Sequence, residues 1–250
     1  MPIDATPTEA LLARFLRDLV PLRPLALWAH GSLAGGDYQE GRSDLDLIAV
    51  LPDPLTLGTV RGVVRTHRRL RAAPLAAGLH CTYLTPAASG DPGRSHLTWA
   101  HGRVTRRPVT PVTRRELHDF GRVLHGGPPA GLLPPVPDRQ LGEFVVRDQR
   151  DYWRPHVDRA RLWRQDVWVD LGLLTFARAT VTLRDGRLVS KREALSELTA
   201  LGAPAEVVED ITRRRYGAPA PRDEAWLARR AGLTRAYLGP AIDELVTVYG

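Results

Sequence analysis

The chain has 250 residues, 43% of them hydrophobic, which is enough for one large core or two modest ones. Its formal charge is +7, and every basic residue except Lys191 is arginine. The arginines are scattered and no zinc-finger or RNP pattern accompanies them, so they read as a solvated surface, not a nucleic-acid interface. No apolar run is long enough to span a bilayer, and the N-terminus lacks the basic start and apolar core of a secretory signal. One cysteine, Cys81, leaves no internal disulfide and fits a reducing cytoplasm.

In chain order, residues 8 to 20 place apolar groups at helical spacing with Thr8 as N-cap, and Pro21 and Pro24 end the helix. LALWAH is a short apolar strand, GSLAGG a glycine-rich turn with a helical start, and LDLIAV a second strand. Residues 56 to 71 read as a basic helix, and LHCTYLT, 79 to 85, as a third strand followed by the loop PAASGDPGRS. HLTWAHGRVTR, 96 to 106, is a strand with a turn, RRELHDFGRVLHG is helical, and the Pro/Gly stretch 126 to 137 is a linker. Beyond it the pattern turns helical over 138 to 164, 166 to 182, 190 to 201 and 204 to 216, with two more helices near the end. Ser190 and Glu193 have the spacing of a capping box. The fold class is therefore α+β. An N-terminal domain over 1–137, with a mixed sheet and flanking helices, precedes an all-helical C-terminal domain over 138–250.

The segment HGSLAGGDYQEGRSDLDLIAV, residues 30 to 50, carries the chemistry. Side chains two apart on a strand share a face, about 6.6 Å apart along it. Asp44 and Asp46 therefore project together while Leu45 and Leu47 face the core. Two bare carboxylates this close raise each other's pKa, and a divalent cation removes the conflict. Mg²⁺ is held by one or two carboxylates plus substrate phosphates. Upstream, Gly31 lets a phosphate approach the backbone and Ser32 offers a hydroxyl donor. A phosphate cradle and a metal holder in one stretch are the equipment for moving a nucleotidyl group.

HGSLAGGDYQEGRSDLDL resembles the signature of the polymerase-β-like nucleotidyltransferase superfamily. LLTFARATVTLRDGRLVSKREAL and RRRYGAP resemble the helical domain of aminoglycoside adenylyltransferases of the streptomycin/spectinomycin type. The resemblance implies transfer of AMP from ATP to a hydroxyl of an aminocyclitol antibiotic, in a cleft between the domains. It implies Mg²⁺ on Asp44 and Asp46, and Ser32, Arg178 and Lys191 on the triphosphate. It gives Tyr216 a nucleotide-side role and matches Trp99 to a tryptophan that stacks on substrate. The partners implied are a nucleotide and a small-molecule acceptor; a monomer is expected, although the sequence itself does not set the oligomeric state. Lys191 is the one lysine among the basic residues, and an ammonium is a compact point charge suited to phosphate oxygens.

Two positions depart from the family pattern. Where the family places a third carboxylate, as general base on the next strand, this chain has His80. Imidazole accepts protons near neutrality but brings no negative charge to a magnesium site. Three roles stay open for it: base in a one-metal site, substrate contact, or mark of a protein that binds nucleotide without turnover. The antibiotic-contacting polar positions are Trp168 and Leu171 here, and Asp166 and Asp170, four apart on one helical face, stand in as acidic candidates. Trp153, Trp163 and Trp168 read as packing residues. His80, Cys81, His96 and His101 lack the spacing of a zinc site. The competing functional class is a nucleotide-binding sensor or regulator with little transfer activity. A variant within the enzyme class would modify a macromolecule.

Overall fold

The structure, a computed structural model, describes residues 6–91, 93–219 and 221–250. They fall into two compact units that divide between Val136 and Pro137. The first is a mixed sheet with flanking helices and the second is all-helical, as the pattern predicts.

In the first unit, α1 (Pro7–Leu19) is capped two residues earlier than expected, because Thr6 caps it and Pro7 supplies a pre-set first residue. Thr8 is not the cap. It is buried, and its hydroxyl and N–H both donate to the Glu40 carboxylate, at 2.6 and 3.2 Å. This ties α1 to the loop that leads into the carboxylate motif. There follow β1 (Ala26–Ala29), a short α2 (Gly31–Ala34), β2 (Leu45–Val50) and α3 (Leu57–Leu70), the last capped by Thr56 and Thr59. β3 (Leu79–Leu84), β4 (Ser95–Ala100), β5 (Arg103–Pro108), α4 (Pro111–Phe120) and β6 (Arg122–Gly126) complete the unit.

The strand order is β5-β4-β3-β2-β1-β6, and among the described residues β2 and β3 form the one parallel pair, joined through α3. Parallel neighbours need such a crossover, whereas β4 and β5 meet through a two-residue turn. Alternation along the strands sends Leu45, Leu47, Ala49, Cys81 and Tyr83 to one face, against Phe15 and Leu19 of α1 and Val63 of α3. Ile48, Val50, Leu84 and Trp28 line the other, with Leu117 of α4. Each such fully buried large side chain contributes about 1.5–3 kcal/mol.

The helix expected over RRELHDFGRVLHG is cut in two. Gly121 closes α4, and RVLHG departs as β6, antiparallel to β1. Helical periodicity could be counted across Gly121, but β1 still had an unpaired edge to fill, and a Val-Leu pair suits a strand.

In the second unit, α5 (Asp138–Arg147) widens into a π-helical segment, Asp148–Trp153, and resumes as α6 (Arg154–Val157). The widening comes just before Pro155, whose ring and missing N–H do not suit a regular turn. The expected run to 164 therefore ends early, with only a 3₁₀ turn at Leu162–Arg164. α7 (Asp166–Asp185), α8 (Lys191–Ala200) and α9 (Ala205–Tyr216) follow. The two terminal helices are one, α10 (Glu224–Tyr249), running through Gly239 and Pro240. Burial of Leu238, Gly239 and Ile242 holds both halves in line against a proline penalty of about 3 kcal/mol.

The Ser190 capping box is present, with Ser190 accepting from Glu193 N–H at 3.1 Å and Glu193 accepting from Ser190 N–H at 2.9 Å. Ser190→Ala is expected to lower stability in urea unfolding by about 1 kcal/mol, with Ser190→Asp restoring most of it. Equal losses in both variants would show that the box does not hold the start of α8.

Candidate active site

The turn after β1 is drawn against β2 by two contacts. The His30 backbone N–H donates to the Asp46 carbonyl at 3.0 Å. Gly31 then takes a left-handed φ of +62°, and a Cβ placed on it would lie 2.9 Å from Asp46 Oδ2. Glycine is required twice over, for the backbone angle and for the space the carboxylate fills. Ser32, half-buried, follows in α2.

Asp46 is the second residue of β2 and stands beside His80 in the parallel register with β3. Asp44 lies just before the strand, alongside Gly78. His80 Nδ1 is 3.7 Å from Asp46 Oδ1 and 3.9 Å from Asp44 Oδ2. These separations are too long for hydrogen bonds but short enough for charge coupling. The aspartate side chains keep 55% (Asp44) and 36% (Asp46) of their surface exposed, so both reach solvent, whereas His80 is buried. Its Nε2 has no hydrogen-bond partner among the described residues. The ring meets His101 edge-on, with centroids 4.5 Å apart. His101 and Gly102 both have positive φ, 51° and 73°, the signature of the tight β4–β5 turn that delivers the second imidazole.

His30 adds a third. Its Nδ1 lies 3.1 Å from Glu116 Oε2 of α4. Burial opposes the charged imidazolium there, but the Glu116 hydrogen bond and the negative charges of Asp46 and Glu116 hold its pKa above the ordinary value. Sequence reasoning assigned no role to His30, Glu116 or His101. His30 adjoined the motif and His101 stood in a His-Gly turn pair, but Glu116 carried no local signal.

The other expected site residues are distributed differently. Trp99 pairs with Cys81 across β3 and β4, which puts it on the sheet face opposite Asp46 and His80. It stacks on His67 at 4.7 Å, against the core between the sheet, α1 and α3. In the second unit, Arg178 of α7 donates to the Val189 carbonyl at 2.9 Å, immediately before the cap of α8. Lys191 is the first residue of that helix, and the guanidinium of Arg192 lies 3.9 Å over the Tyr216 ring of α9. Arg178, Lys191 and Tyr216 thus share one neighbourhood.

Asp166 and Asp170 are held by arginines. Arg214 grips Asp170 with two hydrogen bonds of 2.5 and 2.6 Å, and Arg222 grips Asp166 at 2.5 and 2.9 Å. Arg230, fully buried, bridges Asp166 and Asp210, both at 2.8 Å. Burial works against ionisation of Asp166, but hydrogen bonds from Arg222 and Arg230 and the charges of Arg214 and Arg230 bring its pKa down to about 2. Among the described residues, no group of three or more His, Cys, Asp or Glu is arranged to hold a metal ion, so the carboxylate pair would need phosphate oxygens to complete a shell. None of the described helices is long and apolar enough to cross a membrane.

Residues 10–77 match the family model described as "Nucleotidyltransferase domain". The match takes in Gly31, Ser32, Asp44 and Asp46 and stops short of His80. No curated protein matches the sequence. Among solved structures, the chain is similar to spectinomycin adenyltransferase AAD(9) from Enterococcus faecialis, crystallised with ATP and spectinomycin. The TM-score is 0.72 at 16% identity, over 94% of this chain and 98% of that one. The match to the nucleotidyltransferase domain model thus covers the turn and the carboxylate pair, and the chain shares the fold of that adenyltransferase structure.

The raised pKa of His30 fixes a sign. The pair with Glu116 adds stability that is fully present below the unfolded-state value of about 6.5, and loses it as pH rises through the folded-state value. Glu116→Gln is expected to reduce stability by about 1.5–3 kcal/mol near pH 6, with the deficit shrinking in more alkaline buffer. Melting temperatures of both proteins across pH 5.5 to 9 check this. A deficit that is constant with pH would rule out a charged His30.

Proposed function

We propose that this nucleotidyltransferase domain and its helical partner transfer AMP from Mg·ATP to a hydroxyl of a small molecule, an aminoglycoside or related aminocyclitol being the acceptor class. The observation that carries the proposal is the approach of Asp46, Asp44 and His80 to one another, against a turn that only glycine can make. The acceptor oxygen forms a bond to the α-phosphorus, the bond from that phosphorus to the bridging oxygen breaks, and pyrophosphate departs with the electron pair. The hydroxyl proton passes to His80, whose imidazole is the base of the proposal. A magnesium ion on Asp44 and Asp46, when bound, supplies positive charge at the phosphate oxygens. Gly31 and Ser32 line the turn assigned to the triphosphate. Arg178 and Lys191 carry the positive charge assigned to the departing phosphates, and Tyr216 is the aromatic assigned to the nucleotide.

Trp99 is packed on His67 and the carboxylates of Asp166 and Asp170 are engaged by arginine, so neither set stands ready for a cationic sugar. The same imidazole favours a second reading. A neutral or cationic ring where a third carboxylate would stand suits a protein that binds nucleotide without turning it over.

Mass spectrometry of the protein with ATP, Mg²⁺ and an aminoglycoside panel separates the two. The expected result is an acceptor heavier by AMP together with pyrophosphate, falling by a hundredfold or more in Asp46→Asn, on the order expected when several kcal/mol of charge stabilisation is removed. Tight, Mg²⁺-dependent ATP binding with no product from any acceptor would support the nucleotide-binding reading instead. His80→Glu tests the base directly. Lost product is expected if His80 works in its own right, whereas increased turnover would mean that the imidazole replaced a working carboxylate.

A further inference from the structure

At the other end of β2 and β3 from the carboxylate pair lies a cavity of about 360 Å³ that the proposed chemistry does not use. It is bounded by Asp53 and Leu55 after β2, Thr85 and Ala88 after β3, and Arg94, His96 and Arg106 around the β4–β5 hairpin.

Its basic groups outnumber its acidic ones, although Asp53 lines it and feels the charge of Arg94. His96 is 4% exposed, and its Nε2 has no hydrogen-bond partner among the described residues. Arg114 of α4, close enough for its charge to act on His96, is 2% exposed. It donates to the Val109 and Ser89 carbonyls at 3.0 and 2.5 Å, yet its Nη2 has no acceptor. Arg106 donates to the Ser95 carbonyl at 3.1 Å. Among the described residues, none of Arg94, Arg106 and Arg114 is in an ion pair. Two carboxylates are near. Asp53 accepts from the Ala87 N–H at 2.9 Å and from Thr85, and Asp91 accepts from the Gly93 N–H at 2.8 Å. Both are occupied by the loop that shapes the rim. His96 is held neutral down to about pH 4, by burial first and then by the charges of Arg114, Arg94 and Arg106, with only Asp91 opposing. A buried polar group without a partner is an unfavourable arrangement that folded proteins avoid. Here one of them, His96, lines a cavity together with Arg94 and Arg106, and the other, on Arg114, belongs to a residue whose charge acts on His96.

We propose that this cavity is a second ligand site, for a small phosphorylated molecule whose phosphate group is held by Arg94, Arg106 and His96 with Arg114 behind them. Phosphate is favoured over carboxylate because the donors stand on separate segments, Arg94 before β4, His96 on it and Arg106 on β5, which suits a tetrahedral oxyanion with three free oxygens more than a planar group. The volume leaves room for a small organic body beside it. The inference does not depend on the transferase reading.

Calorimetry with inorganic phosphate as the probe tests it. The expected result is saturable one-to-one binding that persists in saturating Mg·ATP and in Asp46→Asn. Binding is expected to weaken by about tenfold or more in Arg94→Gln/Arg106→Gln, whose exposed side chains can be changed without disturbing the fold, as a thermal melt would check. NMR titration of the His96 ring is expected to show its pKa rising by about one unit or more when phosphate is added. Three outcomes would overturn the proposal: no phosphate binding, displacement by Mg·ATP, or binding unaltered in the double variant. Acetate binding as tightly as phosphate would overturn the assignment to a tetrahedral oxyanion.

Discussion

The separation between Gly31 and Asp46 is the constraint on which the first unit's site depends. A carboxylate at the mouth of a buried strand is costly unless something receives it, and here a turn with no side chain makes the room. The His30–Asp46 backbone hydrogen bond fixes that turn, the Thr8–Glu40 contact anchors the loop beyond it, and the parallel register with β3 sets His80 alongside.

Much of this was legible in the sequence because its determinants are local. Alternation in LDLIAV and LHCTYLT marked the strands, and the Asp-Leu-Asp spacing marked a shared face. Gly-Ser after an apolar run marked the turn, and Ser190 with Glu193 marked a helix start to within a residue. The misreadings have tertiary causes. RVLHG reads as helix until β1 offers it an edge, and the last two helices read as separate, whereas α10 runs on through Pro240 with buried residues on both sides of it. Thr8 resembled a cap, but its hydroxyl serves Glu40 instead. Glu116 could not have been identified from spacing at all. It reaches His30 from a helix 86 residues away in the chain, and nothing near it in sequence announces the contact. Trp99 and the two acidic residues of α7 illustrate the same limit. Residue type suggested a ligand, whereas their actual neighbours are a histidine ring and a set of guanidinium groups.

Arginine is used in two ways in this chain. In the helical unit, Arg214, Arg222 and Arg230 are matched to Asp166, Asp170 and Asp210 in planar, multiply bonded pairs, a geometry that lysine could not reproduce. In the sheet unit, Arg94 and Arg106 line a cavity without such matching, and the charge of Arg114 acts on the His96 that lines it with them. The same residue type thus closes one network and leaves another open, and the difference lies in where the acids are.

The closed network has a consequence for any polyamine that reaches the helical unit. Each carboxylate it would seek already has a seated counter-ion, so docking there is an exchange, in which one positive group leaves as another arrives and the local charge hardly changes. Such an exchange releases few small ions to bulk water. Raising ionic strength would therefore weaken it far less than it weakens an attraction between an open acidic surface and a free cation.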